Sequence, residues 1–132
     1  VGENLRAVSL AMDKPLDEVT VVVLDRPRHK ELISECRNVG ARVRLISDGD
    51  VAAAIAVAKP NSGLDILMGT GGSPEAVIAA CALKCMGGEM QGKLIARNEE
   101  EAIAAKEAEM DFERVLFTND LVSSEEVFFA AT

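Results

Sequence analysis

Residues able to do chemistry gather in three short segments, each placed directly after an apolar run. Arg26-Pro27-Arg28 sets two guanidinium groups on either side of a proline suited to the first turn of a helix. Guanidinium groups and the free N–H groups of a first turn can together grip one phosphate. Asp48-Gly49-Asp50 sets two carboxylates around a glycine. Such carboxylates accept from sugar hydroxyls or approach a cation, and the glycine lets backbone come close to a ligand. Gly69-Thr70-Gly71-Gly72-Ser73-Pro74-Glu75 is a glycine run opening a helix, the usual shape of an anion cradle. Glu75 then puts a negative charge inside that cradle. A carboxylate near a helix N-terminus stabilises by about 0.3–1 kcal/mol through the dipole. A divalent cation bridging Glu75 and a phosphate would instead turn repulsion into shared ligation.

Each segment has a plainer reading. Arg26 and Arg28 could be solvated surface arginines. One of Asp48 and Asp50 could simply cap the next helix, and Ser73 is a natural cap with Pro74 as first helical residue. His29, the single histidine, could serve as an extra donor beside the arginines, with a surface position at a helix start slightly the more expected of the two. Pro74 occupies the third glycine position of a G-x-G-x-x-G fingerprint, which argues against a nicotinamide cofactor. Cys81 and Cys85 are four apart on one helix and lack a third ligand, so they read as small buried core residues. Glu99-Glu100-Glu101 reads as a helix start in solvent.

The elements that must position these residues alternate strand and helix. Val19 to Leu24 is an apolar, β-branched run suited to a strand buried on both faces. A helical pattern from Pro27 ends at Gly40. Arg42 to Ile46 is a second strand, Val51 to Ala58 a helix, Asp65 to Met68 a third strand, and Ser73 to Met86 a helix closed by Gly87-Gly88. An opening helix spans Asn4 to Met12. Further on, 93–96, 114–117 and 127–131 are strand candidates, 118–120 a turn or short helix, and 99–110 a solvated helix. Successive strand–helix units form a parallel sheet, and ligands of such sheets bind beyond the carboxyl ends of the strands. All three polar segments therefore fall on one edge and should converge.

Composition agrees. The 132 residues are 48% hydrophobic, with four Phe and no Trp or Tyr, a mix suited to helices on a buried parallel sheet within one α/β domain spanning 1–132. A net charge of −8 with no basic stripe argues against nucleic acid. Three cysteines without paired motifs suit a reducing, cytoplasmic setting, and no apolar run reaches membrane-spanning length. The chain opens on Val1 and ends in an apolar run, as if cut from a longer polypeptide at both ends.

One rival reading rests on Leu45 to Val51, which fits the D-x-D pattern of haloacid-dehalogenase-like phosphatases with Asp48 as nucleophile. Such a protein would need a loop excursion after the strand. A non-catalytic sugar-phosphate-binding module is a further alternative.

Taken together, LDRPRHKELI, RLISDGDVAAAI, DILMGTGGSPEAVIAACALKCMGGEMQGKL and VFFAAT strongly resemble class II fructose-1,6-bisphosphatases, including the cyanobacterial type that also acts on sedoheptulose-1,7-bisphosphate. The resemblance implies the layered α/β sandwich, with mostly parallel sheet, of the metal-dependent, lithium-sensitive sugar phosphatases. It implies substrate binding by Arg26, Pro27, Arg28, Asp48, Gly49, Asp50 and Gly72, and a Mn²⁺ or Mg²⁺ ligand at Glu75. It also implies a homotetramer. The family's D-P-x-D-G-T segment and most of its metal-binding carboxylates lie in an N-terminal half that has no counterpart in this sequence. The resemblance therefore covers the carboxyl-side, sugar-binding portion, expected to carry no catalytic residue of its own and to be inactive alone.

Overall fold

The computed structural model describes residues 1–96, 98–108 and 110–131. Helix α1 (Gly2–Ala11) and a 3₁₀ turn (Leu16–Glu18) lead into strand β1 (Thr20–Leu24). A 3₁₀ turn (Pro27–His29), helix α2 (Lys30–Val39), strand β2 (Arg42–Ile46), helix α3 (Asp50–Ala58), strand β3 (Ile66–Leu67) and helix α4 (Ser73–Met86) follow. The three strands form one parallel sheet in the order β2-β1-β3, so the most apolar strand is central. The result is the expected α/β architecture.

Burial explains that order. Val21, Val22 and Val23 are all fully buried, which requires cover on both faces because successive side chains point opposite ways. Val21 and Val23 join Leu5 of α1, Val19, Ile33 and Cys36 of α2, and Ala41 in one core cluster. Val22 faces the other way. Helix α3 packs on β3 and on α4, and the buried residues of this helix pair are Ala53 and Ala54 on one side and Ala79, Ala80, Ala82 and Leu83 on the other. Small side chains let two helices approach closely. Gly88, just past α4, is part of that fit: a Cβ there would lie 2.8 Å from Leu83 Cδ2 and 3.1 Å from Ala58 Cβ.

The amino end of the sheet is fixed by a polar staple. The Asp65 carboxylate, its side chain 5% exposed, accepts from Lys14 Nζ at 2.6 Å and from the Thr20 backbone N–H at 2.7 Å. It ties the entry of β1 to the residue before β3, and leaves the carboxyl ends free to carry ligand-facing loops.

Several local expectations are corrected. Gly49, in the left-handed region at φ 84°, is the cap of α3, and Asp50 is already helical, so neither aspartate caps with its side chain. Gly72 likewise caps α4 while Ser73 lies inside it. The later strand candidates shrink or move: β4 is Gln91–Gly92 rather than 93–96, and it pairs antiparallel with β5 (Leu116–Phe117). Residues 127–131 take no regular structure, having no partner strand among the described residues. Helix α5 (Glu99–Glu107) is capped by Asn98, whose side chain accepts from Glu101 N–H at 2.8 Å. It ends before residue 109, which lies outside the described residues. Residues 118–120, read as a turn or short helix, belong to helix α6 (Thr118–Leu121). Of the cysteine pair placed in the core, Cys81 is half-buried and Cys85 exposed; Cys36 is the buried thiol. Among the described residues no helix is long and apolar enough to cross a membrane.

Candidate functional site

The three strand-to-helix junctions meet at the carboxyl edge of the parallel sheet, as strand order alone would arrange. Leu24, Arg26, Arg28, Asp48, Asp50, Gly71, Gly72 and Glu75 line one open cleft of about 320 Å³. The sheet register explains the meeting. Leu24 pairs with Ile46, and Val22 with Leu67, so the residues after each strand emerge side by side.

Each junction presents its side chains by a different device. After β1 the chain turns through Pro27–His29 as a 3₁₀ helix, with Pro27 at its first position, which leaves Arg26 and Arg28 on the rim. Arg26 donates to the Asp25 carbonyl at 3.1 Å, and Arg28 Nε donates across the cleft to the Thr70 carbonyl at 2.8 Å. After β2, the positive φ of Gly49 swings the chain directly into α3. Asp48 accepts from Gly49 N–H at 2.8 Å, and Asp50 accepts from Val51 N–H at 2.9 Å. Each carboxylate thereby keeps its remaining acceptor sites for the cleft. After β3 the glycine run crosses close beneath these groups, and a Cβ on Gly71 would lie 3.8 Å from Asp50 Oδ2. At Gly72 an added Cβ would collide with the Glu75 carboxylate, which folds back over the start of α4. A side chain there would have to push the exposed Glu75 carboxylate aside, since the φ of Gly72 itself is ordinary.

The electrostatics are mixed by design of the topology. Two guanidinium groups and three carboxylates share the cleft, yet among the described residues none of the five forms a salt bridge. Their charges remain available to a ligand carrying both phosphate and hydroxyl groups. Of the segments read from the sequence, Arg26, Arg28, Asp48, Asp50, Gly72 and Glu75 line the cleft, while Pro27 and Gly49 shape its backbone.

The donor set for a metal is thin. Among the described residues no group of three His, Cys, Asp or Glu side chains is placed to hold an ion. Glu75 offers one oxygen ligand where hard divalent cations take six or more. The described residues do not complete a metal site by themselves.

His29 departs from its expected surface position. It is 1% exposed, with Nδ1 2.8 Å from the Leu24 carbonyl and Nε2 2.8 Å from the Thr70 amide nitrogen. Thr70, passed over in the sequence because it sits among glycines, holds both His29 and Arg28 through its backbone. A signal existed: the single histidine stands directly beside the arginine pair, within reach of a loop that has few side chains to anchor it.

Fold and cleft define an α/β protein with a polar, mixed-charge cleft at the carboxyl edge of a parallel sheet. The chain belongs to the family described as bacterial fructose-1,6-bisphosphatase, glpX-encoded, whose family model matches residues 1–132. It is 49% identical to the D-fructose 1,6-bisphosphatase class 2/sedoheptulose 1,7-bisphosphatase of Synechococcus elongatus, over 98% of this chain and 41% of the relative. The protein of the same description from Microcystis aeruginosa is 47% identical over the same shares. The chain thus spans about two-fifths of the length of these curated relatives. The dehalogenase-like alternative loses its footing here. Helix α3 begins at Asp50 with no loop excursion, and the family match covers the segment on which that reading rested.

Proposed function

We propose that this chain is the sugar-phosphate-binding portion of a bisphosphatase that removes the 1-phosphate of fructose-1,6-bisphosphate and accepts sedoheptulose-1,7-bisphosphate. The observation that carries the reading is the convergence of Arg26, Arg28, Asp48, Asp50, Gly72 and Glu75 on one cleft. Family membership and the names of the relatives supply the substrate class.

In this reading Arg26 and Arg28 grip the phosphate that is not cleaved. Planar guanidinium groups suit that task because each offers paired N–H donors to phosphate oxygens. Pro27 presets the turn that aims them. Asp48 and Asp50 accept from sugar hydroxyls, with Gly49 setting the path between them, and Gly72 lets the sugar pass close to backbone. Glu75 contributes one ligand to Mn²⁺ or Mg²⁺, whose role when bound would be to neutralise charge on the transferred phosphoryl group. The remaining ligands come from outside this chain, in the polypeptide of which it forms the carboxyl-side part. That polypeptide works in the cytoplasm as a homo-oligomer.

Phosphate release from fructose-1,6-bisphosphate tests the reading directly. The complete polypeptide carrying this chain should turn over with Mn²⁺ or Mg²⁺, and the 132-residue chain alone should not. Binding without turnover in the complete polypeptide would favour a non-catalytic module instead.

A further inference from the structure

The most constrained polar group at the cleft edge is one that does not line the cleft. His29 closes the 3₁₀ turn that carries Arg26 and Arg28, and it is almost wholly buried. Its partners assign its tautomer. The Leu24 carbonyl, 2.8 Å from Nδ1, can only accept, so Nδ1 carries the proton. Nε2 is then a bare lone pair, and the Thr70 amide donates to it at 2.8 Å. The 3.2 Å approach of Nε2 to the Thr70 carbonyl is an ordinary contact between two acceptors on that assignment. A Cβ added at Gly69 would lie 3.1 Å from Cε1 and 3.2 Å from Nε2, so the ring rests directly on the loop.

We propose that His29 is a positioning residue, which locks the glycine loop after β3 onto the end of β1 and through it orients Arg28. The chain of contacts is short: Leu24 carbonyl to ring, ring to Thr70 amide, Thr70 carbonyl to Arg28 Nε at 2.8 Å. The last ladder bond on this side runs from Met68 N–H to the Val22 carbonyl at 3.0 Å, so the ladder stops short of Thr70 and the loop beyond Met68 takes a separate anchor. An imidazole suits the task because its donor and acceptor sit at a rigid spacing in one ring. The consequence for substrate rests on the function proposed above: the guanidinium that grips the remote phosphate and the Gly72–Glu75 start of α4 are held at a set separation.

Three substitutions in the complete polypeptide separate positioning from mere core packing. His29→Gln can place an amide oxygen near the Nε2 position and keep the Thr70 link. His29→Asn can keep the donor to Leu24 but does not reach Thr70. Gly69→Ala leaves His29 intact and, from an exposed position, sets a methyl 3.1 Å from Cε1 and 3.2 Å from Nε2, so ring and loop must shift apart to relieve the contact and the Thr70 bond lengthens. Amide hydrogen exchange at Thr70 should quicken about tenfold in His29→Asn and Gly69→Ala, with His29→Gln near wild type. KM for fructose-1,6-bisphosphate should rise about tenfold in the same two variants, kcat and Tm changing far less. The double variant should do no more than either single one, since both break one contact. Unchanged Thr70 exchange in both His29→Asn and Gly69→Ala would overturn the inference, as would equal losses in His29→Asn and His29→Gln. Should His29→Asn not fold, Gly69→Ala decides alone. An enzyme without turnover whose Thr70 exchange still follows this order would sink the proposed function and leave the positioning role standing.

Discussion

The two parts of the chain are held by different means. Up to α4, a three-stranded parallel sheet sits between helices, with Leu5, Val21, Val22, Val23 and Cys36 fully buried. From Gly88 onward the strands are two residues long, and the buried side chains among the described residues are Ala105 and Thr118. Thr118 works by hydrogen bonding: its hydroxyl donates to Glu89 at 3.0 Å and accepts from the Met90 N–H at 2.9 Å. Ile95, Ile103 and Phe128 stand exposed. The difference teaches where precision is needed. The cleft is drawn from the part whose strand ends are fixed by a buried sheet, stapled at its amino end by Asp65 and at its carboxyl end by His29.

The largest expected effect tests that division at the core. Leu5 is fully buried against Val19, Val21, Ile33 and Cys36, and Leu5→Ala should lower stability by about 2–5 kcal/mol through lost transfer energy and the cavity left behind. Chemical denaturation of the chain measures it. A loss under about 1 kcal/mol would mean the core is not organised around β1 as described.

Within the cleft, the two kinds of group should fail in different ways. Glu75→Ala removes a group that acts on the reacting phosphate in the proposed function, so kcat of the complete polypeptide should fall by about 100-fold or more. Arg28→Ala removes grip on a remote phosphate and should instead raise KM, by about tenfold, with kcat nearly kept. Equal changes in both parameters for both variants would remove the distinction between the two roles.

How far the sequence disclosed this arrangement follows the same two-part divide. Val21-Val22-Val23 announced a central strand because burial on both faces leaves no room for alternation. The three polar junctions announced one edge because a parallel sheet places all strand-to-helix turns together. Sequence reasoning failed where a cap was supplied by backbone. Gly49 and Gly72 took the positions expected of Asp and Ser: at Gly49 the left-handed φ of 84° favours glycine, and at neither cap does a side chain accept from the helix N–H groups. It failed again at 93–96 and 127–131, where apolar content signals a strand but pairing depends on a distant partner. His29 was hidden for a related reason: its partners are backbone atoms at positions 24 and 70, which no local pattern connects.

The cysteines give a smaller, chemical readout of the same contrast. Burial pushes the Cys36 thiol up, which disfavours its thiolate, while Cys85 is exposed with Sγ 3.5 Å from the Val127 carbonyl. Alkylation of the native chain should modify Cys85 first and leave Cys36 untouched until unfolding. The sign of the linked stability follows. The native state holds the Cys36 proton more tightly than the unfolded chain, so this contribution is full below the ordinary thiol pKa and is lost as pH rises from there through the raised native value. Early labelling of Cys36 at neutral pH would show that α2 opens locally.

The smallest expected effect lies at Phe128, 90% exposed in a segment tied to α4 by Lys84, which donates to the Val122 carbonyl at 3.1 Å and pairs with Glu125 at 3.3 Å. An exposed aromatic gains little from folding, because its ring is wet in both states. Phe128→Ser should therefore change the stability of the chain by no more than about 0.5 kcal/mol. The same substitution in the complete polypeptide is the informative half of the experiment. A matching near-zero value leaves the second part a loosely held surface. A loss of more than about 1.5 kcal/mol there would show that the ring is buried against another part of the protein, because full burial of a phenylalanine contributes on that scale. The contrast between a self-sufficient sheet and a loosely packed carboxyl region would then belong to the isolated chain and not to the protein that carries it.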